Sequence, residues 1–243
     1  DNLYTPDNLV ITFAGKTSDE QALDLSSKYF GSLGGTKQRE FEPLEGYGKE
    51  KVTLRTKKTE QSHLVIGVPS FGSQDDRHFA QKLLSIILGG NMSSRMFLNI
   101  REAKGMCYYI DSDVDSYLDA GSLSTRAGID QSRLDEAVKL IINEYDQVAL
   151  HGVLDEEIAR AKSYMKGSII LSLEDTEDLA HFFGKQQLLY PNVRSVDEYI
   201  GMIEAVSKEE IDQLAKDLLG HENLRLAVIG NTDNKAGLES LLV

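Results

Sequence analysis

Residues 88–112 read Leu-Gly-Gly-Asn-Met-Ser-Ser-Arg-Met-Phe-Leu-Asn-Ile-Arg-Glu-Ala-Lys-Gly-Met-Cys-Tyr-Tyr-Ile-Asp-Ser. The run Gly89-Gly90-Asn91 is predicted to end a preceding helix, because glycine and asparagine tolerate the backbone angles found after a helix. Ser93-Ser94 consists of helix-capping residue types, so a second helix is expected to begin there. Gly105 suits the positive-φ position after this second helix, and the chain is therefore expected to turn at Lys104-Gly105 and enter a strand.

The sequence on either side of this stretch predicts blocks of strands and helices. Residues 51–57 alternate polar and apolar, as in a half-exposed strand, whereas residues 63–68 form the continuous apolar run of a central strand. Asp75 or Asp76 is expected to cap a helix that runs to Leu88. The remaining predicted elements are a hairpin of strands at 107–117 and 121–129, helices at 134–148, from 154, and at 177–190, 196–203 and 208–218, and a last strand from Leu224. This order predicts an α+β fold with an antiparallel or mixed sheet and helices packed mainly on one face.

Two distant segments resemble each other, which indicates an internal repeat. Residues 7–17 (DNLVITFAGKT) and 222–232 (ENLRLAVIGNT) both read as an apolar strand that ends in glycine, and each leads into a helix. Ser18 and Asp233 are the expected caps of these helices. We therefore expect residues 1–31 to be the final strand and helix of a truncated first copy, residues 32–48 to be a linker rich in glycine, and residues 49–243 to form the second copy. A chance match between two strand–glycine–helix units is the alternative.

Composition excludes several classes of protein. The chain has 243 residues and a net charge of -13, whereas a nucleic-acid binder needs a basic face. No apolar run approaches the ~20 residues that span a bilayer. Cys107 is the single cysteine, which excludes an internal disulfide; its apolar strand context favours a small core residue over a nucleophile. The first residues show no initiator methionine or leader and resemble a cut end, so the localisation stays unassigned, although a cytoplasmic setting is compatible with one cysteine.

The stretch 88–112 resembles the signature of the second, non-zinc-binding half of pitrilysin/insulinase-family (inverzincin) zinc metallopeptidases. In that family, a Gly-Gly-x-Met-Ser-Ser-Arg-Leu-Phe-like turn leads into a helix that ends Ile-Arg-Glu-Lys-x-Gly-Leu-x-Tyr. The match here runs without a gap from Leu88 to Ser112. The resemblance implies the fold of one metallopeptidase half over essentially the whole chain.

The same resemblance implies a substrate-binding role for Arg101 and Tyr108, since the family's second half supplies an arginine and a tyrosine seven positions apart. A helix end at Arg101, a reversal at Gly105 and a strand at Tyr108 would bring both polar tips to one surface. A guanidinium and a phenol can hydrogen-bond a substrate carbonyl and stabilise an oxyanion. In the alternative, Arg101 pairs with a surface carboxylate and Tyr108 is a half-buried strand residue. Their neighbours Arg95 and Tyr109 are interpreted as structural.

The histidines predict no metal site in this chain. The family's catalytic half carries H-x-x-E-H, but none of the five histidines here has a second histidine four positions later. If the repeat holds, the corresponding segment is His78-Phe79-Ala80-Gln81-Lys82. Gln81 cannot act as a base and Lys82 would oppose a cation; His78 can equally be an ordinary helix histidine. Zinc is therefore expected in a missing upstream half.

The resemblance thus implies the substrate-binding, metal-free C-terminal part of a zinc-dependent peptidase, which hydrolyses peptides in a chamber closed by two similar halves and is inactive as this part alone. The expected partners are the missing N-terminal catalytic half, or a homologous zinc-bearing subunit, and a peptide substrate. Neither nucleic acid nor a membrane is expected, and a dimer stays open. The alternative is a non-catalytic partner subunit or an assembly protein of the same fold. An H-x-x-E-H motif upstream would favour the enzyme.

Overall fold

The computed structural model describes residues 3–37, 42–46 and 48–243. The chain divides into two compact units, Asp1–Pro43 with Tyr164–Gly201 and Leu44–Ser163 with Met202–Val243. Within the predicted linker, residues 38–41 and 47 lie outside the described residues. The helices are α1 (Asp19–Phe30), α2 (His78–Ser85), α3 (Leu134–His151), α4 (Asp155–Ser172), α5 (Thr176–Leu189), α6 (Val196–Ala205), α7 (Lys208–Leu218) and α8 (Lys235–Ser240). The strands are β1 (Val52–Thr56), β2 (Gln61–Ser70), β3 (Cys107–Ser116), β4 (Gly121–Asp130) and β5 (Arg225–Gly230).

The larger unit is built on a five-stranded sheet with the order β1-β5-β2-β4-β3. Strand β1 is parallel to β5, and the other neighbours are antiparallel. Strands β2 and β4 pair along their whole length, from Gln61 opposite Asp130 to Ser70 opposite Gly121. The prediction of a mixed α+β fold is confirmed.

The helices cover one face of this sheet. Alternate residues of β2 face them, and Leu64, Ile66 and Val68 are buried between the sheet and helices α2, α3 and α7. Helix α2 is itself almost wholly buried and lies at the centre of this layer. The opposite face of the sheet is open: Val65 and Ile229 are each 40% exposed there. The predicted one-sided packing is therefore what the structure shows, and it leaves a second sheet surface for other contacts.

A chain of hydroxyl groups crosses the core beneath the motif. The Ser112 and Thr125 hydroxyls are hydrogen-bonded at 2.7 Å, and Thr125 is bonded to the Tyr145 hydroxyl at 2.7 Å. Tyr145 also donates to the Ile66 carbonyl at 3.3 Å, and burial raises the pKa of its phenol. A Cβ at Gly89 would lie 2.5 Å from the Ser112 backbone nitrogen, so only glycine fits there. The first glycine of the motif is thus required by close packing against β3.

Several predicted boundaries are corrected by the structure. Residues 9–14 form no strand among the described residues, and a strand is defined by hydrogen bonds to a neighbouring strand. Helix α2 begins at His78, and Asp75 instead forms an ion pair with Arg77 at 2.7 Å. The cap of α8 is Asn234, whose side chain accepts from the Gly237 N–H, and not Asp233.

The smaller unit contains α1 and α5. Ser18 caps α1 as predicted, and a reciprocal bond joins Gln21 to the Ser18 backbone. In the same unit the Gln186 side chain accepts from the Arg194 N–H at 3.0 Å and donates to its carbonyl at 3.3 Å. Helix α1 has no buried residue, and its Leu23 and Tyr29 are 68% and 66% exposed. The prediction that residues 1–31, 32–48 and 49–243 are separate parts of a repeat remains a prediction.

Candidate functional site

Arg101 lies near the end of a short π-helical segment, Phe97–Glu102. The wide turn is visible in the bond from the Ala103 N–H to the Leu98 carbonyl, five residues back. Met96 and Ile100 anchor the segment in the core, with exposures of 0% and 1%. A π-helical turn inserts one extra residue per turn and often marks a functional position. Here the turn presents the Arg101 side chain at the surface.

Tyr108 lies at a β-bulge in the edge strand β3. Cys107 pairs with Ile129 and Tyr109 pairs with Gly128, so that Tyr108 has no opposite residue on β4. Its side chain is 62% exposed. A β-bulge changes the direction of a side chain and locally interrupts the hydrogen bonds between the two strands. The alternative of a half-buried strand residue is not what the structure shows for Tyr108.

The turn between the two residues is tight, as the spacing predicted. Gly105 has φ +53°, and the Met106 N–H donates to the Ile100 carbonyl at 3.2 Å. Burial raises the pKa of the Cys107 thiol, and the nearby charge of Arg101 acts to lower it. The bond from Met106 to Ile100 closes the turn between the segment that carries Arg101 and the strand that carries Tyr108.

Among the described residues, the polar tips of Arg101 and Tyr108 have no hydrogen-bond or ion-pair partner. The Arg101 guanidinium lies 5.0 Å from the centre of the Phe97 ring and, within the described part of the chain, forms no ion pair. The alternative in which Arg101 is neutralised by a surface carboxylate is thus not observed. A free guanidinium and a free phenol are hydrogen-bond donors suited to a carbonyl oxygen or an oxyanion.

The two neighbours interpreted as structural make internal contacts. Arg95 donates to both carboxylate oxygens of Glu157 at 2.7 Å and to the Gly152 carbonyl at 3.1 Å. Tyr109 packs over Gly128, where a Cβ would lie 2.4 Å from its ring, and its hydroxyl is 3.1 Å from His63 Nδ1. Arg95 therefore joins the start of the motif to Glu157 and Gly152. Tyr109 packs against the sheet beside the bulge.

Sequence reasoning missed Glu144, which lies beneath the π-helical segment. This glutamate on α3 is only 8% exposed and accepts a hydrogen bond from the Asn99 side chain at 3.0 Å. A signal for it existed: Glu144 interrupts the apolar stripe of α3, between Ile141 and Val148. A charged group on the core side of a helix is costly to bury, so its bond to the motif marks a role.

Helix α2 does not offer a metal site. Gln81, at the position predicted to replace a catalytic glutamate, is 0% exposed. Its amide accepts from the Phe71 N–H at 3.2 Å and from the Ser70 hydroxyl, and it donates to the Phe71 carbonyl at 3.1 Å and to the Ser116 hydroxyl at 3.2 Å. Among the described residues, no group of three or more His, Cys, Asp or Glu side chains could hold a metal ion. These residues do not fit a zinc site, because the amide oxygen and nitrogen of Gln81 are already hydrogen-bonded, mainly to the chain at the end of β2.

The family is decided by a match to the model described as "Peptidase M16 inactive domain", which covers residues 1–165. The chain belongs to the peptidase M16 family. It corresponds to the C-terminal, inactive domain of this family, as the resemblance implied.

Curated members of the M16 family match almost the whole chain. An uncharacterised zinc protease of Streptomyces coelicolor is 33% identical over 96% of this chain and 52% of its own length. An uncharacterised zinc protease of Bacillus subtilis, YmxG, is 35% identical over 95% of this chain and 56% of its own length. The chain therefore spans about half the length of these relatives.

A solved M16 domain supports the fold. The peptidase M16 inactive domain from Pseudomonas fluorescens superposes with a TM-score of 0.81 over 90% of this chain and 52% of that chain, at 17% sequence identity. At this identity the likeness concerns the fold alone. Separately, none of the helices in the described ranges has the length and apolar character required to cross a bilayer.

Proposed function

We propose that this chain is the substrate-binding part of a zinc-dependent peptidase, in which Arg101 and Tyr108 contact the peptide next to the bond that is cleaved. The observation that carries the proposal is the pairing of two local irregularities. A π-helical turn presents Arg101 and a β-bulge presents Tyr108, and both side chains reach the surface without an internal acceptor among the described residues.

The chemistry assigned to the two residues is hydrogen-bond donation. The guanidinium of Arg101 and the hydroxyl of Tyr108 would orient a substrate carbonyl and stabilise the negative charge that develops on its oxygen. Tyr109 lies next to the bulge and stacks on His63, with ring centroids 6.1 Å apart. This contact leaves Tyr108 as the phenol free to meet substrate.

The metal belongs to the remainder of the polypeptide under this proposal. The zinc proteases that match this chain are about twice its length, which supports one polypeptide with a catalytic half and this half. The two halves would enclose the peptide, with the reaction centre on the other half. A separate zinc-bearing subunit would serve the same purpose, and the sequence upstream of this chain distinguishes the two arrangements.

The proposal is tested by Arg101→Gln and Tyr108→Phe in the full-length protein. Arg101→Gln removes the charged guanidinium, Tyr108→Phe removes the hydroxyl, and both keep most of the side-chain volume. Peptidase turnover should therefore fall tenfold or more while bound zinc is unchanged. Peptide hydrolysis and metal content are measured on the same samples.

Two substitutions at exposed residues of the same types serve as matched controls. Arg133 forms an exposed ion pair with Glu136, and Tyr117 is 74% exposed beyond the end of β3. Arg133→Gln and Tyr117→Phe should keep wild-type turnover. Wild-type turnover in both Arg101→Gln and Tyr108→Phe would overturn the assigned role.

A further inference from the structure

A groove crosses the open face of the sheet at the end where β1 and β5 begin and β2 ends. Its volume is about 510 Å³, within the range of about 300–1,000 Å³ that is usual for ligand sites. Residues from the five strands, or from the position just before a strand, line the groove. Among these residues are Lys51, Gly67, Asp115, Ser124, Arg225 and Ala227. This groove is separate from Arg101 and Tyr108, neither of which lines it.

The groove exists because small residues meet on neighbouring strands. Gly67 lies opposite Ser124 on β4 and opposite Arg225 on β5, and Ala227 lies opposite Val65. Glycine, alanine and serine have little or no side chain above the sheet backbone. The larger side chains around them therefore project beyond them and form the walls of the groove. A Cβ at Gly67 would lie 2.5 Å from the Leu123 carbonyl oxygen, which fixes glycine at the floor.

The two ends of the groove carry opposite charge. Asp115 lies on the edge strand β3 and, among the described residues, forms no ion pair or hydrogen bond through its carboxylate. At the other edge, Lys51 precedes β1, and its ammonium is 3.4 Å from the His221 carbonyl oxygen. Glu50, which also lines this end, is bound to Lys235, and that bond lowers the pKa of the Glu50 carboxyl. The uncompensated charge at this end is therefore positive.

Arg225 adds a fixed donor to the positive end. Its Nη1 donates to the carbonyls of Glu222, Asn223 and Leu224 at 3.2, 3.2 and 2.9 Å, which holds the guanidinium in place. Its Nε is buried and has no acceptor among the described residues. The positive charge of this guanidinium, which lines the groove, would stabilise a carboxylate at this end.

The length of the groove selects the size of its occupant. Four strand spacings of about 4.8 Å separate β1 from β3, which gives about 19 Å across the sheet. An extended peptide advances about 3.3 Å per residue, so about six residues reach from Asp115 to Lys51. The backbone groups of the central strands are used in the sheet, and recognition must therefore come from the charged ends and from contact with the floor.

We propose that this groove binds a short peptide of about six residues with free ends, its amino group at Asp115 and its carboxylate at Lys51 and Arg225. The choice of a peptide rests on the proposed peptidase function. The site thereby favours short peptides over internal segments of a long chain, which have no terminal charges to offer.

Binding is measured by calorimetry on the full-length protein after its metal has been removed by a chelator, so that hydrolysis does not interfere. The probe is the hexapeptide Ala-Gly-Ser-Val-Ser-Ala, free, acetylated at the N-terminus, or amidated at the C-terminus. Each blocked form should bind at least tenfold more weakly than the free form, because one charge-assisted contact is lost.

Substitutions assign each end of the peptide. Asp115→Asn should lower the affinity for the free peptide about tenfold and leave the affinity for the acetylated peptide unchanged. Lys51→Gln should likewise lower the affinity for the free peptide about tenfold and leave the affinity for the amidated peptide unchanged. Asp113→Asn is the matched control: it lies on the same strand and face but does not line the groove, so the affinity should not change.

Two outcomes would overturn the proposal: equal affinity for the free and blocked peptides, or no saturable binding up to about millimolar concentration. Binding at the Arg101 and Tyr108 site would not respond to Asp115→Asn or Lys51→Gln. Peptide binding is measured on the metal-free protein, and peptidase function is measured as turnover. A failure of the groove proposal is therefore distinguished from a failure of the proposed peptidase function.

Discussion

At the scale of single residues, the candidate site depends on a buried carboxylate that never reaches the surface. Glu144 holds the Asn99 side chain at 3.0 Å, two positions before Arg101. The pKa of the Arg95 guanidinium is raised mainly by its bond to Glu157, and the charge of Glu144 adds to this effect. Glu144 therefore connects α3 to the π-helical segment that carries Arg101.

We expect Glu144→Leu to lower peptidase turnover about tenfold in the full-length protein without lowering its melting temperature. The substitution removes the acceptor for Asn99, but an apolar group in place of a buried charge is often neutral or stabilising. Glu144→Gln keeps an acceptor oxygen and should restore most of the turnover. The measurements are peptide hydrolysis and thermal unfolding of both variants.

Asn99→Ala provides the converse case. It leaves the buried Glu144 carboxylate without its hydrogen bond. It should lower the free energy of unfolding by about 1–3 kcal/mol and should also lower turnover. Wild-type turnover in Glu144→Leu would show that the Asn99 contact does not position Arg101.

At the scale of elements, the motif is fastened to the start of α4 by one ion pair. The side chains of Arg95 and Glu157 are 16% and 11% exposed, and the same glutamate accepts from the Leu154 N–H at 2.7 Å. Burial alone would raise the pKa of Glu157, but its bonds to Arg95 and Leu154 outweigh burial and lower it. The pair thus orders both the turn before the π-helical segment and the first turn of α4.

This pair should make the protein sensitive to acid. Because the folded pKa of Glu157 is lowered, its stabilising contribution is complete above the unfolded pKa of about 4.3 and is lost as the pH falls through the folded value. Glu157→Gln should therefore reduce the free energy of unfolding by about 2 kcal/mol at neutral pH, and the difference from wild type should shrink on acidification. Denaturant unfolding at a series of pH values measures this.

Glu136→Gln is the control for the acid experiment. Glu136 pairs with Arg133 at 3.2 Å on the surface, with side chains 54% and 36% exposed, and such pairs contribute about 0–1 kcal/mol. A pH-independent difference between wild type and Glu157→Gln would contradict the expected role of the ionised carboxylate.

At the scale of the whole molecule, the metal and the substrate contacts are expected on different halves. Gln81, which the repeat predicts at the position of the base, is buried and hydrogen-bonded to the Phe71 carbonyl. We expect the full-length protein to bind about one zinc ion and to hydrolyse peptides, and this chain alone to do neither. Elemental analysis and peptide hydrolysis of both forms, side by side, measure this.

The two other outcomes of that comparison have distinct meanings. Stoichiometric zinc in this chain alone would contradict a metal-free half. Zinc in neither form would favour a non-catalytic partner subunit, and a companion protein that carries the metal would then be sought.

Much of this architecture could be predicted from local sequence. The hairpin of β3 and β4 follows from alternation and a polar turn, and the positive φ of Gly105 follows from its place after a helix. The fold class and the family also followed from the stretch at 88–112, which the Peptidase M16 match confirms. These features depend on residues close together in the chain.

The rest was decided by contacts between distant parts of the chain. The strand predicted from the apolar run at residues 9–14 is not formed among the described residues, since an apolar run becomes a strand only through hydrogen bonds to another strand. The groove depends on Gly67, Ser124 and Ala227 arriving side by side from three strands. No local pattern records that arrangement.

The sequence by itself determined the mixed sheet, the helical layer and the presence of Arg101 and Tyr108 seven residues apart. Only the tertiary structure decided that one of these residues lies on a π-helical turn and the other on a bulge, and that Glu144 accepts a hydrogen bond from Asn99 in that turn. The physical reason is that extra residues in a helix or a strand are tolerated only where surrounding packing holds them. Local propensity sets the elements, and packing sets the direction in which their side chains point.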